Sequence, residues 1–354
     1  MRWLSRAFGG DARVPRSADV ALREALLAVL DRDLERAELL LTSIVRRDSS
    51  AVDAYLALAR LWRQRGEVGR AIRIHQNLLL RLDAGSAEGR RVLLDLAADF
   101  RQGGFLRRAI AAYEEVLADE PRNAEALRAL TALLAEARDH SRAIEMARRL
   151  ARVEGRDGAG EEARLRVEMA EAAAAEGRSH DARRALKQAL RKDRACVNAW
   201  CRLGELEAER GRNRAALAAW ARVPRIDRSA GRRVYPQLEA TYAALERTRD
   251  YETLLREILA ETPDDGGARL ALARTLAARG DVEDALGELR GMLARDADDL
   301  EARGALGRLL LSERRDDEAA KEYAELLDVL ERRGLLGPRE GGARSGPGPR
   351  EGGA

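Results

Sequence analysis

The stretch RGEVGRAI, from Arg65 to Ile72, decides the fold, because a version of it returns along the whole chain. The shared pattern, which we call the phrase, is Gly-x-x-x-x-Ala. Clear copies read GGFLRRAI (Gly103 to Ile110) and RGDVEDAL (Arg279 to Leu286). The residues that end the nine copies are Ala37, Ala71, Ala109, Ala143, Ala182, Ala216, Leu254, Ala285 and Ala319. Successive copies lie 34, 38, 34, 39, 34, 38, 31 and 34 residues apart. A period of this length predicts a repeat architecture.

The second copy shows what one repeat contains. Apolar residues recur at helical spacing from Asp53 to Gln64, which predicts a first helix, helix A. Gly66 can take a positive φ and close that helix, and a second helix, helix B, is predicted from Val68 to Arg81. Two helices in a 34-residue period are typical of the tetratricopeptide repeat. We therefore predict an all-α fold, a right-handed superhelical solenoid of about nine helix-turn-helix repeats.

Side-chain size supports the same register. Small residues, Ala59 on helix A and Ala71 on helix B, stand where the two helices are predicted to touch, and later copies have Gly204 and Gly307 at the site of Ala59. A large core residue is expected four residues after the end of each phrase. These positions hold Leu41, His75, Tyr113, Ala147, Leu186, Trp220, Ile258, Leu289 and Tyr323. Because one helix pair cannot bury its apolar face, each repeat must stack on its neighbour.

The sequence predicts three segments. Residues 1–16 form a basic lead that we expect to be disordered, residues 17–333 form the repeat array, and residues 334–354 form a Gly- and Pro-rich tail predicted to be disordered. The glycines of GRDGAG predict a hinge near 154–161. The longer spacings place extra residues in the connections at 83–89, 154–161 and 225–233.

The charge balance disfavours nucleic acid as a partner. The net charge is only +3, because 64 basic residues face 61 acidic ones that interleave along the helices. The sequence has no 18-residue apolar run and no signal peptide, so a cytoplasmic protein is predicted. MRWLSRAF at the start clusters Trp3 and Phe8 near two arginines, which predicts at most weak peripheral contact with a membrane.

Metal, cofactor and catalytic chemistry are not predicted. The three histidines lie in different repeats: His75 occupies a core position, whereas His140 and His180 are expected in solvent-facing turns. Cys196 and Cys201 are five residues apart, which would point their side chains about 140° apart on a helix. No phosphate loop or carboxylate pair stands out, so we expect no metal, no cofactor and no enzyme activity.

The helix A residues that face the concave groove of such an array form the candidate binding site. In repeats 2 and 3 they are Arg60, Arg63, Arg91, Arg101 and Gln102. The groove is predicted to be basic at this end and acidic in the middle and C-terminal part, with Glu171, Glu205, Glu209, Glu239 and Glu246. Arginines gathered without interleaved acids would grip acidic side chains or a C-terminal carboxylate of a partner protein. The alternative is that these residues are ordinary solvated charges.

Two stretches carry a more specific resemblance. LWRQRGEVGRAIRIHQNLLL (Leu61 to Leu80) and LLDLAADFRQGGFLRRAIAAYEEVL (Leu93 to Leu117) look like the second and third repeats of the lipopolysaccharide assembly protein B family, also named the YciM family. The likeness continues weakly to about residue 330. It implies a non-catalytic cytoplasmic adaptor at the inner membrane. Its implied partners are a membrane-bound AAA+ protease and the deacetylase of the committed step in lipid A synthesis, which the protease degrades.

The sequence departs from that family at both ends. Family members usually start with a transmembrane helix and end in a rubredoxin-like module with two CxxC pairs. Here the ends read MRWLSRAFGG and GPREGGARSGPGPREGGA. Two functions stay open at this point: a regulator of lipopolysaccharide synthesis and assembly, or a general scaffold for another bacterial assembly in secretion, motility or signalling.

Overall fold

The computed structural model of the chain describes residues 18–83 and 85–335, and every regular element in this part is α-helical. The first ten helices are α1 (Ala18–Leu30), α2 (Leu34–Arg47), α3 (Val52–Gln64), α4 (Val68–Leu79), α5 (Ala87–Gln102), α6 (Leu106–Asp119), α7 (Ala124–Glu136), α8 (His140–Glu154), α9 (Ala159–Ala175) and α10 (Ser179–Lys192). The next ten are α11 (Val197–Glu209), α12 (Asn213–Trp220), α13 (Val223–Ile226), α14 (Arg228–Gly231), α15 (Tyr235–Ala244), α16 (Thr248–Glu261), α17 (Gly266–Arg279), α18 (Val282–Arg295), α19 (Leu300–Ser312) and α20 (Asp316–Arg332). The predicted all-α repeat solenoid is confirmed.

The helices pair as nine repeats, but two of the repeat helices are broken. Helix B of repeat 6 consists of α12 and α13, and helix A of repeat 7 consists of α14 and α15. Pro224 stands in the first turn of α13 and Pro236 in the first turn of α15. Proline lacks the N–H that would continue the preceding helix, so each break has a covalent cause. Most of the segment 225–233, for which extra connecting residues were predicted, therefore lies in two interrupted helices.

The predicted contact between helices A and B is present. The eight phrase-ending alanines are at most 1% exposed. A Cβ on Gly204 would clash with the indole ring of Trp220, and one on Gly307 would stand 2.9 Å from Cζ of Tyr323. Small residues on helix A thus make room for the large residues on helix B, and the stacked pairs share cores that run from one repeat into the next.

The turn between the two helices recurs with one backbone geometry. Gly66 closes α3 with φ of 81°, as predicted, and a left-handed residue stands five residues before the phrase-ending alanine in the other copies too. In repeats 1, 4 and 9 that residue is arginine, since Arg32 has φ of 61°, Arg138 has φ of 60° and Arg314 has φ of 57°. The turn geometry is therefore kept by stacking even where glycine is absent, at a conformational cost.

The turn also corrects the register in repeat 7. Its left-handed residue is Glu246, with φ of 57°, and five residues later stands Tyr251, which is 1% exposed. Tyr251, and not Leu254, therefore ends the seventh phrase. The distances from Ala216 and to Ala285 become 35 and 34 residues, so the irregular spacing of 31 disappears. The sequence alone misled because leucine is a more ordinary core residue than tyrosine.

Packing divides the chain into two compact units, Met1–Cys196 and Val197–Ala354. The first contains the described helices α1 to α10 and the second α11 to α20. The segment 154–161 contains the turn from α8 to α9, residues 155–158, where Gly155 takes a left-handed φ of 64°. The hinge predicted there stays a prediction, as does disorder in the lead and the tail, which lie outside the described residues.

Candidate partner-binding surface

The five residues of the predicted binding site lie on two neighbouring A helices. Arg60 and Arg63 are on α3, and Arg91, Arg101 and Gln102 are on α5. The two helices contact each other directly, so the prediction that stacking brings the two sets side by side is confirmed. The same contact also brings carboxylates of α5 among the arginines.

Arg60 is fixed by a two-pronged ion pair. Its Nε donates to Oδ1 of Asp95 at 2.9 Å and its Nη2 donates to Oδ2 at 2.7 Å. This hydrogen bonding raises the pKa of the Arg60 guanidinium above its ordinary value. The Asp95 side chain is 7% exposed, whereas that of Arg60 is 47% exposed. Arg60 therefore neutralises a buried carboxylate while about half of its own side chain stays exposed.

Arg63 continues the chain of charges into the core. Its Nη1 donates to Oδ1 of Asp99 at 2.9 Å and to the backbone oxygen of Asp95 at 3.1 Å. Oδ2 of Asp99 lies 2.6 Å from Nδ1 of His75, and both of these side chains are fully buried. We refer to Arg60, Arg63, His75, Asp95 and Asp99 as the α3–α5 network. It ties helix A and helix B of repeat 2 to helix A of repeat 3.

The other three predicted residues differ in how they are held. Nη1 of Arg91 donates to Oδ1 of Asp53 at 2.8 Å, and Nε2 of Gln102 donates to the backbone oxygen of Arg63 at 2.8 Å. Arg101 is exposed and forms no ion pair with any described residue. Of the four arginines, Arg101 alone has its guanidinium free of a carboxylate in this part of the chain.

The expectation of a basic cluster without interleaved acids is therefore wrong. Asp53, Asp95 and Asp99 pair with three of the four arginines. Sequence reasoning missed Asp95 and Asp99, although a signal was present: both stand inside the apolar run VLLDLAADF, four residues apart on one face of α5. An acid within a core stripe indicates a buried cation from a neighbouring helix.

The histidines fall into three environments. His75 is buried at a core position, as predicted. His140 was expected in solvent but is 8% exposed, and neither of its ring nitrogens has a hydrogen-bond partner among the described residues. It is the first residue of α8, so the turn geometry aims it inward rather than out. His180 is 83% exposed, as predicted.

Candidate metal ligands do not come together in residues 18–83 and 85–335. Within them no group of three or more His, Cys, Asp or Glu side chains has metal-binding geometry. Cys201 is buried in α11, whereas Cys196 precedes that helix, and neither is in a disulfide. No described helix has the length and apolar character needed to cross a bilayer.

Curated bacterial proteins resemble this chain in sequence. Lipopolysaccharide assembly protein B of Escherichia coli (strain K12) is 27% identical over 264 residues, which cover 73% of this chain and 66% of that protein. The Haemophilus influenzae protein of the same name is 34% identical over 158 residues, which cover 44% of this chain and 39% of that protein. The chain thus spans less than two thirds of the length of these relatives.

Among solved structures, a tetratricopeptide repeat protein from Parabacteroides merdae is 14% identical and aligns with 84% of this chain and all of its own, with a TM-score of 0.40. Family models described as tetratricopeptide repeat match residues 15–87, 94–159, 167–230 and 252–299. These matches cover more than half of the sequence and overlap the helices α1 to α14 and α16 to α18. The chain belongs to the tetratricopeptide-repeat family, and within it resembles lipopolysaccharide assembly protein B.

Proposed function

We propose that this protein is a non-catalytic adaptor that regulates lipopolysaccharide synthesis and assembly at the cytoplasmic face of the inner membrane. In this role it holds the deacetylase of the committed step in lipid A synthesis for degradation by a membrane-bound AAA+ protease. The observation that carries the proposal is the 264-residue match to lipopolysaccharide assembly protein B. A likeness of that length follows the order of the repeats and extends well beyond one phrase.

The phrase RGEVGRAIRIHQ itself supports shared architecture more than a shared partner. His75 binds Asp99 of the next repeat, and Arg65 binds Glu38 of the previous repeat at 2.6 Å. The guanidinium of Arg70 lies 3.9 Å above the ring of Trp62. Because these side chains are committed to packing between repeats, partner recognition must use other residues.

A protein-binding role follows from the construction of the array. Tetratricopeptide repeats build extended surfaces from successive A helices, and such surfaces bind other proteins. The described part of the chain offers no metal cluster, and the buried carboxylates of Asp95, Asp99 and Glu162 pair with arginines of the neighbouring repeat. The adaptor role therefore requires only a surface and a means of reaching the membrane.

The test is the lifetime of the deacetylase in the native cell. We expect deletion of the gene for this chain to lengthen the half-life of the deacetylase and to raise the amount of lipopolysaccharide. The full chain supplied in trans should restore both values. Capture with a protease variant that binds but does not cut should recover this chain together with the deacetylase.

If deletion leaves the half-life of the deacetylase and the lipopolysaccharide content unchanged, the protein does not regulate lipopolysaccharide synthesis. If the full chain then captured components of a secretion, motility or signalling assembly, the general scaffold would be the correct function.

A further inference from the structure

A pocket of about 450 Å³ lies in the second unit among the A helices of the last three repeats. It is bordered by the start of α15, by α17 and by α19, and α17 contacts both of the others. Its wall contains Arg232, Tyr235, Leu270, Arg274, Leu300 and Arg308. None of the glutamates predicted for the groove, Glu171 to Glu246, lines this pocket. Its charged lining consists of three arginines and one glutamate, Glu301.

The repeat register explains why one of these arginines, Arg274, is unpaired. Arg274 and Arg308 each stand eleven residues before the phrase-ending alanine of their repeat, which is the position of Arg60 in repeat 2. The partner of Arg60 is Asp95, fourteen residues before the phrase-ending alanine of the next repeat. The residue at that place opposite Arg274 is Ala305. The carboxylate of Asp95, which pairs with the guanidinium of Arg60, is thus replaced by the methyl group of Ala305 at the equivalent position.

The remaining charges do not neutralise the pocket. Neither Arg274 nor Arg308 forms an ion pair within residues 18–83 and 85–335, and both are exposed. Arg232 lies 3.2 Å from Glu301, but both side chains are more than half exposed, so this pair is weak and readily exchanged. Two guanidinium groups are therefore available to carboxylates from outside, and a third can be recruited.

The wall behind the arginines is held rigidly. The hydroxyl of Tyr235 donates to Oδ2 of Asp265 at 2.6 Å, and the hydroxyl of Tyr251 donates to the backbone oxygen of Tyr235 at 3.0 Å. Burial raises the pKa of Tyr235, so its hydroxyl stays a donor at neutral pH. Oδ1 of Asp265 accepts from the backbone N–H of Ala268, which commits this buried acid to capping α17. A preformed wall lowers the entropic cost of binding.

We propose that this pocket binds an acidic peptide segment of a partner protein, with carboxylates on Arg274 and Arg308 and an apolar side chain against Leu270 and Leu300. Guanidinium groups pair with carboxylates through two parallel hydrogen bonds, which gives the arginines their selectivity for acidic side chains. Half-buried leucines beside them favour a peptide over a nucleic acid, whose backbone offers phosphates without apolar side chains. The proposal rests on the protein-binding role proposed above and not on the lipopolysaccharide pathway.

The experiment measures fluorescence anisotropy of a labelled eleven-residue peptide of alternating Glu and Leu, with the full chain as the binding protein. The comparison peptide has Gln in place of every Glu, which keeps shape and removes charge. We expect the acidic peptide to bind at least about tenfold more tightly at about 150 mM salt. Replacement of both free arginines, Arg274→Glu with Arg308→Glu, should weaken binding of the acidic peptide by about tenfold or more.

The control variant carries Arg214→Glu and Arg249→Glu, two exposed arginines on α12 and α16 of the same unit, outside the pocket. It has the same net charge as the pocket variant, and its affinity should stay within about twofold of the unmodified chain. A neutral pair, Arg274→Gln with Arg308→Gln, should lose most of the same affinity without adding repulsion. Circular dichroism confirms that each variant is folded.

Three results would overturn the proposal: equal affinity for the two peptides, equal losses in the pocket and control variants, or tighter binding of a single-stranded oligonucleotide that competes with the peptide. The pathway is decided separately by the lifetime of the deacetylase in cells. If peptide binding depends on the two arginines but deletion of the gene leaves the half-life of the deacetylase unchanged, the pocket is supported and the lipopolysaccharide pathway is rejected. If the half-life changes but peptide binding does not depend on the two arginines, the pathway is supported and the pocket is rejected.

Discussion

Repeats 2 and 8 each place an arginine at the same position of helix A, Arg60 and Arg274, yet the two arginines do different things. Arg60 is clamped by Asp95 at 2.7 Å, whereas Arg274 faces Ala305 and has no carboxylate among the described residues. One residue on the next A helix decides whether the arginine forms a structural ion pair or keeps its guanidinium free to bind a partner. The repeat pattern therefore fixes where a side chain stands, and its neighbour one repeat away fixes its role.

The two regions should also differ in what they tolerate. In repeats 2 and 3 the carboxylates of Asp95 and Asp99 are buried, and removal of an ion-pair partner leaves a charge in a poorly solvated place. In repeats 8 and 9 the arginines are exposed, so their loss changes binding and hardly affects folding.

The largest effect is expected for Asp99→Ala. The change leaves Arg63 and His75 without the fully buried carboxylate that joins them, and breaking a buried pair in this way costs about 3 kcal/mol. Hydrogen exchange on the full chain should show faster opening of α3, α4 and α5. Exchange in α17 to α19, in the other unit, is the internal reference.

The matched control is Asp119→Ala, an exposed aspartate on α6 of the same unit. It should leave exchange in α3 to α5 unchanged. If the two variants opened these helices equally, the α3–α5 network would not stabilise the contact between repeats 2 and 3.

The second prediction builds the Arg60–Asp95 ion pair at the equivalent position of repeats 8 and 9. Ala305→Asp places a carboxylate opposite Arg274, where Asp95 stands opposite Arg60, and should weaken binding of the acidic peptide by about tenfold. The control is Ala305→Asn, which has almost the same shape and no charge. Anisotropy titrations compare the two, and equal losses would mean that the effect is steric and that the comparison between the regions does not rest on charge.

Much of the fold was predictable because it depends on spacing within one repeat. The buried alanines, the left-handed Gly66 and the core position of His75 all follow from the phrase and the helical period. The broken helices were harder to predict, since Pro224 and Pro236 read as loop residues until the helices on either side are known. In repeat 7 the tyrosine at the phrase end hid the register.

The binding surface was less predictable because its charges are paired between repeats. Arg60 and Asp95 are 35 residues apart, and that distance depends on the length of the connection between the two repeats. The sequence pattern within one repeat contains the arginine but not the acidic residue that pairs with it, which lies in the next repeat. Repeats 8 and 9 show the converse, since Arg274 looks the same in sequence and keeps its charge free for a partner.

The third prediction compares the two arginines by one substitution. Arg60→Met should cost about 1 kcal/mol, because Asp95 loses its two-pronged partner but keeps a contact with Arg63 at 3.3 Å. Arg274→Met should change stability by less than about 0.5 kcal/mol. Local hydrogen exchange in α3 and in α17 measures both. Equal costs would show that the paired arginine is no more structural than the open one.

The smallest effect is expected at Arg101. A variant of this residue tests whether the partner binds the surface of α3 and α5 or the pocket in the second unit. Arg60→Glu would be an ambiguous probe there, because it sets two carboxylates against each other and disturbs the fold. Arg101 is exposed and has no ion pair within the described residues, so Arg101→Glu should change stability by less than about 0.5 kcal/mol. If the surface of α3 and α5 also contacts the partner, the variant should reduce capture of the deacetylase by about two- to fivefold, as expected for one exposed charge pair. Capture at the level of the unmodified chain, together with a loss in the Arg274→Glu and Arg308→Glu variant, would assign recognition to the second unit.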